Sequence, residues 1–336
     1  MSAIGKEKIV YFSEYNPIDM MHKDLDMFWK FYVCGGIRTF YAKITGRKLR
    51  CPIYAGHLVK THEEGNEILK KMILSNEPFL FGRNGGNETL ITALGIMFEN
   101  NISEIPFFDL DTSVKQCGFF SSDRDSIIRF SHLIQEATLQ SDIYGTFRWI
   151  MEDYLLAHYA KQNVVLTHAN NMDFWRYKKP FTCALKGKKV LVVSPFAEQI
   201  EKQYENREKL FQDPDWLPEF ELVTVKAVQT VAGVKDSRFS DWFEALDYMK
   251  NEVMKTDFDI ALLGCGAYGM PLAAYIKQCG KQAIYVGGVL QMIFGIRGKR
   301  WDSIPEASSL YNDYWISINK EEVPQNAEIV EGGCYW

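Results

Sequence analysis

Two kinds of apolar spacing alternate along the chain. Residues 62–75, Glu88–Glu99 and a long stretch from Asp123 to about Tyr159 carry apolar positions three and four residues apart, which predicts helices. In the second of these Leu90, Ala93, Ile96 and Met97 share one side; the third breaks near Ser141-Asp142, and Trp149, Leu155 and Leu156 mark a buried face. Residues 78–83 form a short continuous apolar run that predicts a strand. The second half is more regular. Lys188–Val193, Glu221–Lys226, Asp259–Leu263 and Gln282–Val286 read as strands. A helical pattern follows each one: Phe196, Ile200, Tyr204 and Phe211, then Trp242, Leu246, Met249 and Val253, then Pro271–Cys279, then Val289–Phe294. Ser194-Pro195 suits a helix start, because proline in the first turn gives up an N–H that has no partner there.

Strands that alternate with helices at this spacing imply a three-layer α/β domain with a mainly parallel sheet. The expected organisation is a basic, aromatic extension over residues 1–60, a main domain over 61–320 with a helical insertion at about 120–180, and a tail over 321–336. Ligands of such sheets sit at the carboxyl ends of the strands. The loops after Phe81, Val193, Leu263 and Val286 are therefore expected to converge on one crevice. Their unusual residues are Arg83, Gly85, Gly86, Asn87 and Glu88 in the first loop and Ser194 in the second. Gly264, Gly266 and Tyr268 stand in the third, and Gly287, Gly288 and Gln291 in the fourth.

The first loop is the most informative. In Arg83-Asn-Gly85-Gly86-Asn87-Glu88 the glycines let backbone approach a ligand, the following helix start offers unpaired N–H groups, and the arginine fork matches two phosphate oxygens. Glu88 adds a carboxylate for a metal ion, a sugar hydroxyl or a proton. A tight turn with Arg83 and Glu88 paired on the surface is the competing reading. The third loop matches G-x-G-x-x-G, but the next strand ends in Gly287-Gly288 where a ribose-binding acid would stand, which argues against a dinucleotide cofactor. Arg297, Lys299 and Arg300 follow the fourth loop; they suit a diphosphate or form a solvated basic turn.

Composition narrows the class. The 336 residues are 47% hydrophobic and 24% charged, with seven cysteines and no C-x-x-C pair, which fits reduced thiols in a cytoplasm. The start has no secretory pattern, and no window long enough to span a bilayer is free of charge, so a cytoplasmic protein is expected. The net charge of −5 hides an asymmetry: residues 27–50 hold six basic residues and no acid, leaving −11 for the rest. Ile37, Phe40, Tyr41 and Ile44 there fall on one helical face, which suits either packing on the domain or peripheral contact with an anionic inner membrane face. Nucleic-acid binding is excluded by a pI near 5.8 and the lack of any motif for it. A hydrolase triad lacks its nucleophile elbow, and no P-loop occurs.

Arg83-Asn-Gly85-Gly86-Asn87-Glu88, the strand Lys188–Val193 running into Ser194-Pro-Phe, and Asp259-Ile-Ala-Leu-Leu-Gly264 together resemble the GT-D type glycosyltransferases of bacterial polysaccharide and glycoprotein assembly. The likeness extends over roughly residues 62 to 301. It implies a Rossmann-like domain that binds a nucleotide-sugar and transfers the sugar to a hydroxyl of a glycan or lipid-linked glycan. It also implies a divalent metal, Mn²⁺ or Mg²⁺, near a D-x-E motif; here the glutamate is Glu88 and the aspartate position is Gly86, which has no side-chain oxygen. Carried over, the arginine is Arg83; for the transfer itself Arg83, the glycine loops, Lys299 and Arg300 are expected to hold the diphosphate, and Glu88, Asp142 or Asp123 to act as base. Helix capping is the other reading of Asp123 and Asp142. The alternative class is a non-catalytic nucleotide-sugar-binding protein of a polysaccharide assembly complex.

Overall fold

The computed structural model describes Ile44 and residues 53–101, 109–149 and 151–336. Apart from Ile44, the basic segment 27–50 and its expected membrane contact lie outside these residues. Among the described residues, seven strands form one sheet in which every neighbouring pair is parallel. In chain order they are β1 (Leu80–Gly82), β2 (Ile143–Thr146), β3 (Val165–His168), β4 (Lys189–Ser194), β5 (Glu221–Lys226), β6 (Ile260–Leu263) and β7 (Gln282–Tyr285). Across the sheet the order is β3-β2-β1-β7-β6-β4-β5. The chain builds outward from β1 in one direction, crosses to the far half, and works back until β7 pairs with β1, Phe81 opposite Ile284.

Besides shorter helical turns, eight helices among the described residues flank the sheet: α1 (His62–Ser75), α2 (Gly86–Glu99), α3 (Leu110–Cys117), α4 (Arg124–Gln140), α5 (Glu152–Tyr159), α6 (Ala197–Tyr204), α7 (Trp242–Met254) and α8 (Gly269–Gln278). Side chains alternate across a strand, so a sheet covered on both faces needs apolar residues at every position. Leu80, Leu191, Val193, Ala261, Leu263 and Ala283 face one core with residues of α2, α4, α7 and α8. Phe81, Val190, Val192, Ile260, Leu262 and Ile284 face the other with α1 and α6. Each of these leucine, valine, isoleucine and phenylalanine side chains stabilises the fold by about 1.5–3 kcal/mol, and the alanines by less.

Local chemistry sets the helix starts. Thr61 and Glu64 close a capping box on α1, and Asp123 and Asp241 accept backbone N–H groups at the starts of α4 and α7. Asp123 is thus a cap. α2 and α4 approach closely because position 95 is glycine: a Cβ there would stand 2.4 Å from Ser131 Cβ and 2.8 Å from the Ile127 carbonyl oxygen.

The stretch from 120 to 180 holds α4 and α5 and also two four-residue strands. The break at Ser141-Asp142 is the entry to β2. Four residues, one of them glycine, are too short to stand out from the helical patterns on either side. Among the described residues no helix is long and apolar enough to cross a membrane.

Candidate functional site

After β1 the chain enters α2 on one face of the sheet, whereas after β7 it turns into residues whose Val289, Leu290, Met292 and Ile293 pack on the other. Neighbouring strands whose connections leave toward opposite faces open a crevice at their carboxyl ends. A cavity of about 360 Å³ lies there, large enough for a small-molecule ligand.

Arg83, directly after β1, lines it. Its guanidinium carbon is 5.0 Å from the centre of the Phe147 ring and 5.3 Å from that of Tyr285. Its buried Nε has no hydrogen-bond partner, and the side chain enters no ion pair among the described residues. Buried donors in native proteins are almost always bonded. An unsatisfied guanidinium nitrogen on a cavity wall is a seat for an anion the ligand brings.

Glu88 lies in the first turn of α2, which has no side-chain cap, and it is only 9% exposed. Burial pushes its carboxyl above the ordinary glutamate range; its own backbone N–H and the Arg83 charge act the other way, and Glu331 adds to the rise. A carboxylate held this way accepts a proton more readily than one in water. Asn87 beside it donates to Gln116 Oε1 at 2.9 Å.

The opposite wall comes from the loops after β4, β5, β6 and β7. Thr230 Oγ1 donates to the Gly118 carbonyl at 2.5 Å, so the Tyr268 hydroxyl, 3.0 Å away, is the donor to Thr230. Tyr268 stacks on Trp242, centroids 4.7 Å apart, and Tyr285 donates to the Gly266 carbonyl at 2.8 Å. Residues 326–336 close one side. Gln291 Nε2 donates to the Tyr335 carbonyl at 3.1 Å, Arg300 pairs with Glu331 at 2.6 Å, and Gln116 Nε2 reaches the Ile329 carbonyl at 3.1 Å.

Of the residues singled out in the sequence, Arg83, Gly85, Gly86, Asn87, Glu88, Ser194, Gly264, Gly266, Tyr268, Gly287, Gly288, Gln291 and Arg300 all line this cavity. Two do not. Lys299 stands just outside, its Nζ on the Gly332 carbonyl at 3.0 Å. Asp142 is at the other end of the sheet, before β2, where it accepts from the Leu80 N–H and pairs with Lys161 and Lys277 at 2.5 and 2.7 Å. It cannot reach a ligand at the carboxyl ends of the strands. The sequence reading missed Phe147 and took Trp149, which is exposed and outside any helix, for part of a buried helical face, because β2 went unrecognised; it also missed Thr230, Glu331, Tyr335 and Trp336, which follow no motif.

Gly86, the position of the expected metal-binding aspartate, brings no side-chain oxygen and faces the Trp149 indole, whose Cδ2 would be 3.4 Å from a Cβ there. The carboxylates that line the cavity are Glu88 and Glu331; a divalent ion held by one or two carboxylates takes its other oxygens from water and from a donor's phosphates. Arg83 and Arg300 add positive charge to the same cavity.

Residues 69–293, two thirds of the chain, match the model of the GT-D fold-like domain. A solved structure, the selenomethionine-substituted domain of unknown function 1792, is similar at 9% identity and a TM-score of 0.41, over 80% of this chain and 93% of that one. No curated protein matches. With its doubly wound parallel sheet and its cavity at the switch point, this chain belongs to the GT-D-like family, whose fold is of the glycosyltransferase type.

Proposed function

We propose that the chain transfers a sugar from a nucleoside-diphosphate donor to a hydroxyl of a growing bacterial glycan. The observation that carries the proposal is Arg83: a guanidinium with a buried, unpartnered nitrogen, between glycine-lined loops, in one cavity with a carboxylate of raised pKa. Glycosyl transfer develops positive charge on the sugar and negative charge on the departing diphosphate. Arg83 holds that diphosphate, and Arg300 joins it by exchanging Glu331 for phosphate. The acceptor oxygen attacks the anomeric carbon, the bond to the diphosphate oxygen breaks with its electrons, and Glu88 takes the hydroxyl proton. The two arginines offset the leaving charge.

The test uses the purified chain with radiolabelled UDP-, GDP- and dTDP-sugars, following nucleoside diphosphate release and sugar transfer. Turnover that vanishes in Glu88→Gln supports the reading, and turnover at full rate in that variant refutes the role of Glu88. Donor binding without turnover in the wild-type chain would make it a nucleotide-sugar sensor instead.

A further inference from the structure

We propose, resting on the glycosyl-transfer reading, that Trp149 is the stacking platform for a pyranose ring of the acceptor glycan. Trp149 lines the cavity that holds Glu88, yet its residue is 45% exposed, and Phe147 beside it is 36% exposed with its ring 5.7 Å from the indole. One face of the indole lies over the first turn of α2 at Gly86, two residues before Glu88. The absence of a side chain at Gly86 is what lets the ring lie so close.

The loop is built to hold that ring. Arg148 and Met151 both adopt positive φ, 60° and 69°, an uncommon and costly conformation outside glycine. It is fixed by Glu152, fully buried, whose carboxylate accepts from Thr146 Oγ1 at 2.7 Å and from the Trp149 N–H at 3.1 Å. Keeping a buried carboxylate and a strained turn merely to expose an indole is unfavourable unless the exposed face is used.

Position along the sheet indicates the occupant. From Tyr285 the wall runs through Arg83 to Phe147 and then to Trp149, toward the β2 side; the glycine-lined loops after β6 and β7 lie on the other side of Arg83. A diphosphate on Arg83 with its nucleoside against the glycine loops leaves Trp149 beside the sugar that reacts and the hydroxyl that Glu88 deprotonates. The flat C–H face of a pyranose matches an exposed indole, whereas a nucleobase belongs on the far side.

Saturation-transfer NMR with methyl α- and β-pyranosides of glucose, galactose and mannose, on the full chain, tests this. At least one is expected to receive saturation on its ring protons, to lose roughly tenfold in affinity in Trp149→Ala, and to keep most of it in Trp149→Phe. Nucleoside diphosphate binding, measured on the same proteins by titration with UDP, GDP and dTDP, is expected to be unchanged. No pyranoside binding, or binding indifferent to Trp149→Ala, overturns the platform while leaving the donor reading intact. Loss of nucleoside diphosphate binding in Trp149→Ala also overturns it, assigning the indole to the base. Absence of nucleoside diphosphate binding in the wild-type chain would fault the donor reading itself.

Discussion

Gly287 and Arg83 are fitted to one another across the seam between β7 and β1. A Cβ at position 287 would stand 2.2 Å from Arg83 Nη2, and Gly287 itself has a φ of +72°. The glycine thus does two things: it allows the left-handed turn after β7, and it leaves the space that the guanidinium fills. Gly287→Ala is expected to cost about 1–2 kcal/mol of stability from backbone conformation alone. It should also weaken nucleoside diphosphate binding, because Arg83 must move. Urea unfolding and titration on the same variant check both parts; a variant as stable as wild type with unchanged binding contradicts the fit.

Glu88→Gln keeps the shape and removes the base. Turnover is expected to fall by about 10²–10⁴, the range of general-base contributions, while donor affinity stays within a few fold. Because burial raises the pKa of this carboxyl, the acid limb of kcat/KM in the wild-type chain is expected above the ordinary glutamate range, with activity rising with pH through it. A pH–rate profile whose acid limb lies within the ordinary glutamate range would contradict the assignment.

Glu152 supplies a pH signature in stability. Burial pushes its carboxyl up to about 7 from an ordinary 4.5, against the hydrogen bonds from Thr146, Phe147 and Trp149. Between those values the folded chain holds a proton that the unfolded chain has released. Stability contributed by this group is full below the unfolded value and falls as pH rises toward 7, by about 3 kcal/mol over the window. Glu152→Gln removes the titration, so the difference in unfolding free energy between variant and wild type should grow between pH 5 and pH 7.5 in the variant's favour. Parallel pH curves for the two proteins would show that Glu152 does not titrate there.

Asp142 is expected to behave in the opposite way to Glu88. It ties the entry of β2 to Lys161, Lys277 and the Leu80 N–H, far from the cavity. Asp142→Asn should lower unfolding free energy by about 2 kcal/mol, through lost charge-assisted hydrogen bonds, with turnover per folded molecule unchanged. A selective loss of turnover at normal stability would restore it as a catalytic candidate.

Legibility in the sequence followed burial. The strands β4, β6 and β7, covered on both faces, appear as apolar runs, the half-covered edge strand β5 stands out by its valines and threonine, and β5 and α1 match their expected bounds of 221–226 and 62–75. The parallel alternation placed their loops at one rim, which is why Arg83, Glu88, Gly264, Gly287 and Arg300 could be grouped before any contact was known. β2 and β3 were hidden, being four residues each between helical patterns. With β2 went Phe147 and Trp149, whose role depends on where a loop folds back. Even within α2 the expected inner side was incomplete: Ile91 and Leu94 are buried along with Ala93, Ile96 and Met97, while Leu90 is only partly covered, because the helix is enclosed by the sheet on one side and α4 on another. Asp142 shows the limit of residue type as a guide, since an aspartate before a strand has equal chemistry at either end of the sheet and only topology decides which end it serves.

Calorimetric titration of UDP, GDP and dTDP into the wild-type chain and Arg83→Met tests the central claim most directly. Arg83 has no ion-pair partner among the described residues, so the variant is expected to fold with undiminished stability. At least one of the three is expected to bind the wild-type chain, and to bind the variant at least about tenfold more weakly, the loss of one charge-assisted bidentate contact. Equal affinity in both proteins, or no binding of any of them to the wild-type chain, would contradict a pyrophosphate seat at Arg83.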